Sequence, residues 1–240
     1  MQYILLAAGK GHRLNMDVTN KCFAQINGKS LLDYNLELAN PELFSEIVIV
    51  VGYHADYIKQ YVGDNYHGIK VTYVHQESLL GIAHAIKQAA PYIKEDFMMG
   101  LSDEIHSKPR IQEMADYLTS SKADCVCGVV LDKIQNIQKA YTVKLNEQEN
   151  ITELIEKPAQ CFNDFKGTGI CMMKPSMLKI LDTLKPNKFR KEYEMGNWIQ
   201  AGIDDGLICK IFQISDANFN INEQSDLSEA VVYFKQQHNT

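Results

Sequence analysis

No long apolar run interrupts this chain. The first, residues 3–8, is too short for a secretory core or a membrane span and has no basic segment before it. No Cys-x-x-Cys pair occurs among the six cysteines, Cys22, Cys125, Cys127, Cys161, Cys171 and Cys209. They sit mostly inside apolar stretches and read as core packing in a reducing compartment. A cytoplasmic protein without membrane contact is therefore expected. Basic charge is not in excess either: 24 Lys and Arg face 30 Asp and Glu, and the net charge of -6 comes from scattered acids. That excludes the electrostatic footprint of a DNA- or RNA-binding surface. Repeats, low-complexity tracts and long Gly/Ser/Pro linkers are all missing, so one domain spanning residues 1–240 is expected. With 45% hydrophobic residues it has enough apolar side chains for a substantial core.

What is present is an alternation. Segments 3–7, 47–51, 71–74, 97–101 and 124–131 are short and apolar and read as strands. Between them, 30–38, 55–61, 82–89 and 111–118 carry apolar residues at helical spacing, which suits crossovers between parallel strands. Beyond residue 131 the pattern is mixed, with strands expected at 142–145, 151–155, 169–173 and 208–214 and helices at 177–184, 198–205 and 227–235. The fold class expected is α/β, a Rossmann-like doubly wound and mostly parallel sheet. Its first half, to about residue 120, reads as a doubly wound unit. The mixed half, from about 121, would extend the same sheet and wall a pocket.

Glycines follow the first strand in Leu5-Leu6-Ala7-Ala8-Gly9-Lys10-Gly11-His12-Arg13-Leu14. Glycine at the carboxyl end of a strand lets main-chain N–H groups face a polyphosphate, and α/β sheets bind ligands at that end. A dinucleotide fingerprint would need glycine where Leu14 stands. A P-loop ending at Gly28-Lys29-Ser30 would need it at Phe23. Both fail, leaving a glycine loop flanked by the cations Lys10 and Arg13.

Leu6 to Leu14, with Lys21 and then Gly28-Lys29-Ser30-Leu31-Leu32, resembles the opening of the sugar-phosphate nucleotidylyltransferases, with Asn20 and His12 where that family usually has Pro and Thr. The resemblance continues along the chain. Gln76-Glu77-Ser78-Leu79-Leu80-Gly81-Ile82 is similar to the base-reading segment, and Met99-Gly100-Leu101-Ser102-Asp103 to the metal-binding segment, with Ser102 in place of glycine. Glu156-Lys157-Pro158, Gly167-Thr168-Gly169-Ile170 and Asn220-Ile221-Asn222 resemble the acceptor and closing motifs. The fold implied is that of the nucleotide-diphospho-sugar transferases.

The resemblance implies a Mg2+-dependent enzyme that joins a nucleoside triphosphate to a small phosphorylated acceptor and releases pyrophosphate. Arg13, Lys21 and Lys157 would be catalytic. Leu6, Ala7, Ala8, Gly9, Lys10, Gly11, Gln76, Gly81 and Ile82 would bind the nucleotide. Glu156, Lys157, Gly169 and Glu192 would meet the acceptor, and Asp103 and Asn222 would hold the metal. The side-chain amide of Gln76 can pair with one edge of a base. UTP or dTTP with a sugar 1-phosphate is the expected pairing, with CTP left open. Two alternatives remain: a cytidylyltransferase for a non-sugar phosphate such as phosphocholine, and a non-catalytic binding regulator of the same fold. Glycosyltransferases using Asp-x-Asp are disfavoured because that motif is missing. No hexapeptide repeat follows the closing motif, so no fused β-helical acyltransferase is expected. A homo-oligomer is compatible with the sequence but is not specified by it.

Overall fold

The structure is a computed structural model that describes residues 1–9, 21–188 and 190–237. The strands are β1 (Gln2–Ala7), β2 (Gln25–Ile26), β3 (Lys29–Ser30), β4 (Glu46–Val51), β5 (Asn65–Tyr66), β6 (Ile69–His75), β7 (Phe97–Leu101), β8 (Glu104–Ser107), β9 (Cys125–Leu131), β10 (Tyr141–Leu145), β11 (Ile151–Glu156), β12 (Phe165–Met173), β13 (Cys209–Gln213) and β14 (Ala217–Asn220). The helices are α1 (Leu31–Leu36), α2 (Ala55–Val62), α3 (Ile82–Ala89), α4 (Ile111–Ser120), α5 (Ile134–Ile137), α6 (Ser176–Ile180), α7 (Met195–Asp204) and α8 (Gln224–Gln237).

Eight strands form the main sheet in the order β13-β9-β12-β7-β1-β4-β6-β5. The neighbours β7, β1, β4 and β6 are all parallel. Both faces of β7, β1 and β4 are covered, which is why they read as continuous apolar runs, whereas β6 alternates, with Lys70 and His75 exposed. Along β1, Ile4 and Leu6 enter one core with α3, α6 and α7, while Tyr3, Leu5 and Ala7 enter the other with α1, α2 and α4. The first core also takes Tyr141 and Val143 of β10 and Ile151 and Leu154 of β11, so the two halves of the chain share it.

Strand β12 is antiparallel to both neighbours, β7 and β9, which makes the sheet mixed as the sequence predicts. The expected strand at 169–173 is longer at its start, and the expected helix at 177–184 is cut to five residues. The Thr183 hydroxyl donates to the Ile180 carbonyl at 3.3 Å, and Pro186 disfavours helix at Lys185. Ser30 is the N-cap of α1, where it and Asp33 form a capping box. The sequence pattern misses β8 and β14, two four-residue strands that pair antiparallel apart from the main sheet. A third core of Ile26, Leu31, Ile105, Ile221, Ala230 and Phe234 packs α8 and the β2–β3 hairpin against them.

All six cysteines are free, and five of them are buried. Among the described residues, no helix is long and apolar enough to cross a membrane.

Candidate active site

From β1 the chain moves outward through β4 to β6, then returns through α3 to β7 on the other side of β1. The order reverses there, and a crevice opens at the carboxyl ends of the strands, where α/β sheets take their ligands. A cleft of about 270 Å³ occupies it. Leu6, Ala8 and Gly9 form its floor, and Leu101, Ser102 and Asp103 one wall. Gln76, Leu79, Gly81, Ile82 and Ala85 form another, while Lys21 and Glu192 close the rim.

Most of the nucleotide and metal residues expected from sequence are therefore together. Ala7 is turned to the opposite layer, with its side chain buried in the second core, so its side chain does not line the cleft. Lys10, Gly11 and Arg13 lie outside the described residues.

Lys21 begins a short 3-10 turn after the glycine loop. Its Nζ donates to Asp103 Oδ2 at 2.7 Å and to Asn222 Oδ1 at 3.0 Å. Three side chains from opposite parts of the chain thus meet at one point. The β8–β14 pair makes this possible, because Asp103 directly precedes β8 and Asn222 follows β14. The Ile221 N–H donates to the Asp103 carbonyl at 2.9 Å.

A relay of amides turns the Asn222 oxygen toward that point. Asn222 Nδ2 donates to Asn220 Oδ1 at 2.8 Å, and Asn220 Nδ2 donates to Glu104 Oε1 at 3.3 Å. In its ionised form Glu104 can only accept, and in that form it fixes the direction of both amides. Its other oxygen accepts from the Gly169 N–H at 2.8 Å and from Asn218 Nδ2 at 3.0 Å. Burial pushes the Glu104 carboxyl up to about 7, against the pull of those donors. Sequence reasoning missed Glu104 as this brace. The available signal was an acid beside apolar Ile105 immediately after the metal motif.

Asp103 and Asn222 therefore face one positive centre with two hard oxygens, a donor set that suits magnesium, which takes one or two protein ligands and completes its shell with water and phosphate. Among the described residues no group of three or more His, Cys, Asp or Glu could hold a metal ion. A divalent ion here would draw its remaining ligands from water and the substrates.

Of the residues expected to meet the acceptor, Glu192 lines the cleft, whereas Glu156 does not. A methyl group at Gly196, in the first turn of α7, would lie 3.0 Å from Glu156 Oε1. Burial, and then Glu194, raise the Glu156 carboxyl above its usual range, while Arg190 and Lys157 oppose this. Arg190 Nη1 and Asn187 Nδ2 hold the Glu194 carboxylate at 2.9 and 2.8 Å. Lys157 is exposed, with φ +45° and its N–H on the Ala140 carbonyl at 2.7 Å. Gly169 does not line the cleft. A Cβ there would meet the Leu101 side chain at 2.4 Å, so the missing side chain leaves room for Leu101 in the cleft wall.

With this geometry in place, comparison with known proteins is decisive: the profile of the nucleotidyl transferase family matches residues 2–234. The chain belongs to the nucleotidyl transferase family. Among its relatives, this nucleotidyl transferase is 29% identical over 232 residues to the UTP–glucose-1-phosphate uridylyltransferase AglF of Haloferax volcanii, covering 96% of this chain and 95% of that protein. It is 30% identical over 210 residues to the bifunctional protein GlmU of Methanococcus maripaludis. That alignment takes in 86% of this chain and 48% of GlmU, so the chain spans about half of that relative. A solved structure described as a glucose-1-phosphate thymidylyltransferase from Bacillus anthracis superposes with a TM-score of 0.86 at 21% identity. The match covers 97% of this chain and 94% of that one, a likeness of fold.

Proposed function

We propose that this nucleotidyl transferase condenses UTP or dTTP with a sugar 1-phosphate in the presence of magnesium, releasing pyrophosphate and forming a nucleotide sugar. The observation that carries the reading is the meeting of Lys21, Asp103 and Asn222 at the mouth of the cleft that Gln76 and Gly81 wall. The names of the Haloferax uridylyltransferase and the Bacillus thymidylyltransferase point to the same nucleotides and to glucose 1-phosphate.

Two strongly anionic substrates must approach one another, and their repulsion is the main barrier. An acceptor phosphate oxygen attacks the α-phosphorus, the α–β phosphoanhydride bond breaks, and its electron pair leaves on pyrophosphate. The acceptor is already ionised at neutral pH, so the step needs no general base. Asp103 and Asn222 are the groups to hold magnesium, which when bound supplies positive charge to the phosphates. Lys21 sits at the same point. Its flexible ammonium moves onto phosphate oxygens when the triphosphate enters, and Arg13 of the glycine loop adds a second cation. Glu192 faces the acceptor hydroxyls from the cleft rim, Glu156 supports that side from outside the cleft lining, and Lys157 holds the acceptor phosphate in line.

The test is pyrophosphate release with magnesium. UTP, dTTP, CTP, GTP and ATP are each offered with hexose 1-phosphates, aminohexose 1-phosphates and phosphocholine. Magnesium-dependent release with UTP or dTTP and one sugar 1-phosphate is expected. Release with CTP and phosphocholine would replace both substrates in the reading, and silence from folded, nucleotide-binding protein would favour a regulator. Lys157→Ala is expected to raise the acceptor KM about tenfold, the effect of one lost charge-assisted hydrogen bond, with the triphosphate KM changed much less. Equal changes in the two constants would make Lys157 a structural residue.

A further inference from the structure

Gln76 is 4% exposed, and its own N–H donates to the Val51 carbonyl at 2.8 Å, so its backbone is fixed at the end of β6. A primary amide has a donating end and an accepting end, and the end presented to the cleft decides which base edge can pair with it. Gln76 Nε2 lies 3.0 Å from His84 Nδ1 and 3.4 Å from the Gly81 carbonyl oxygen. The carbonyl can only accept, so a reversed amide would set two oxygens against each other.

That constraint also assigns the imidazole of His84. Its Nδ1 accepts from Gln76, and Nε2 carries the hydrogen. Burial and the nearby Lys87 lower the His84 pKa, which keeps the ring neutral and Nδ1 able to accept. On the other side Gln88 Nε2 lies 3.5 Å from His84 Nε2, and because this amide is exposed it can turn end for end to offer its oxygen, so it yields to the tautomer that the buried Gln76 sets. The ring sits over Tyr193, with centroids 6.1 Å apart.

We propose that His84 is the positioning residue for base choice: by accepting from Gln76 Nε2 it leaves Gln76 Oε1 to face the nucleotide. The cleft then takes a pyrimidine whose N3 carries hydrogen, uracil or thymine, and disfavours cytosine, whose N3 only accepts. Gly81 adds a main-chain N–H that has no partner among the described residues, at the wall of the same cleft. An acceptor beside a donor complements N3–H and the 4-keto oxygen, and it opposes the N3 and 4-amino group of cytosine at both positions. This inference rests on the preceding reading, in which the base lies against Gln76.

The experiment compares kcat/KM for UTP and CTP with one acceptor in the wild type and in His84→Leu, His84→Asn, His84→Gln and Gln76→Ala. Leucine removes the acceptor and lets the amide turn. The UTP-to-CTP ratio is expected to fall about tenfold, as for one misdirected hydrogen bond, mainly through the KM for UTP. Asparagine places an oxygen close to the lost Nδ1 and is expected to restore most of the ratio. Glutamine reaches instead to the Nε2 position and is expected to leave it low. An unchanged ratio in His84→Leu, or equal ratios in the asparagine and glutamine variants, would overturn the proposal. Wild-type preference for CTP would likewise overturn the proposed amide direction, whereas an unaltered ratio in Gln76→Ala would overturn the assignment of the base to Gln76 itself, so the two failures are distinguishable.

Discussion

Asp103→Ala is expected to lower kcat by about 10²–10³, the loss typical when one preorganised group facing developing charge is removed. The melting temperature should stay within a few degrees of the wild type. Asp103 contributes to the fold through its main chain, whose carbonyl accepts from Ile221, and alanine keeps that bond. Its side chain is one-third exposed and pairs with Lys21, an arrangement in which an ion pair adds about 1 kcal/mol or less. The lysine left behind still has Asn222 Oδ1. Asp103→Asn retains one oxygen without the charge and should fall between. Steady-state kinetics at saturating magnesium, with thermal unfolding of the same preparations, would decide. Turnover within tenfold of the wild type would remove Asp103 from the metal site.

Gly81→Ala should damage nucleotide binding more than a methyl group ordinarily does. Gly81 has φ +101° and ψ 176°, a region open almost only to glycine, and holding alanine there costs about 1–3 kcal/mol. The added Cβ would also lie 2.6 Å from the Tyr193 carbonyl oxygen. That carbonyl cannot turn aside cheaply, because it accepts from the Ala83 N–H at 2.9 Å while the Tyr193 N–H donates to Leu80 at 2.7 Å. The clash therefore pushes the loop carrying Gly81 away from the segment carrying Glu192. A rise of at least about tenfold in the triphosphate KM is expected, equivalent to roughly 1.4 kcal/mol of lost binding. Gly63→Ala is the control. Gly63 has φ +75° and ψ -163°, but nothing lies within 4 Å of its Cβ position. It should lose stability while keeping its KM, and a KM unchanged in both variants would mean that the Gly81 loop does not meet the nucleotide.

The inner strands were legible in the sequence because burial on both faces leaves a local mark, an unbroken apolar run such as Ile47 to Val51. The helices between them were legible for a similar reason, and α3 begins and ends where its apolar spacing predicts. The glycine loop, the Gln76 segment and Asp103 all follow strand ends, so a strand assignment alone brings them to one edge of the sheet. By contrast, β8 and β14 were not legible. Glu104-Ile105-His106-Ser107 and Ala217-Asn218-Phe219-Asn220 are too short and too polar for a periodic signal, although burial covers all of the first.

The sequence by itself determined the α/β class, several of the residues that line the cleft, among them Leu6, Gly9, Gln76, Gly81 and Asp103, and the family to which their motifs belong. Only the tertiary structure decided that Lys21 and Asn222, 201 residues apart, meet beside Asp103. It also placed β12 antiparallel between β7 and β9, and set the direction of the Gln76 amide. The physical reason is that periodicity records whether a residue is buried, through side-chain spacing along one segment. Which segment pairs with which, and which end of an amide faces a ligand, depends on hydrogen-bonding partners that are distant in the chain and are brought close by packing of the cores around them.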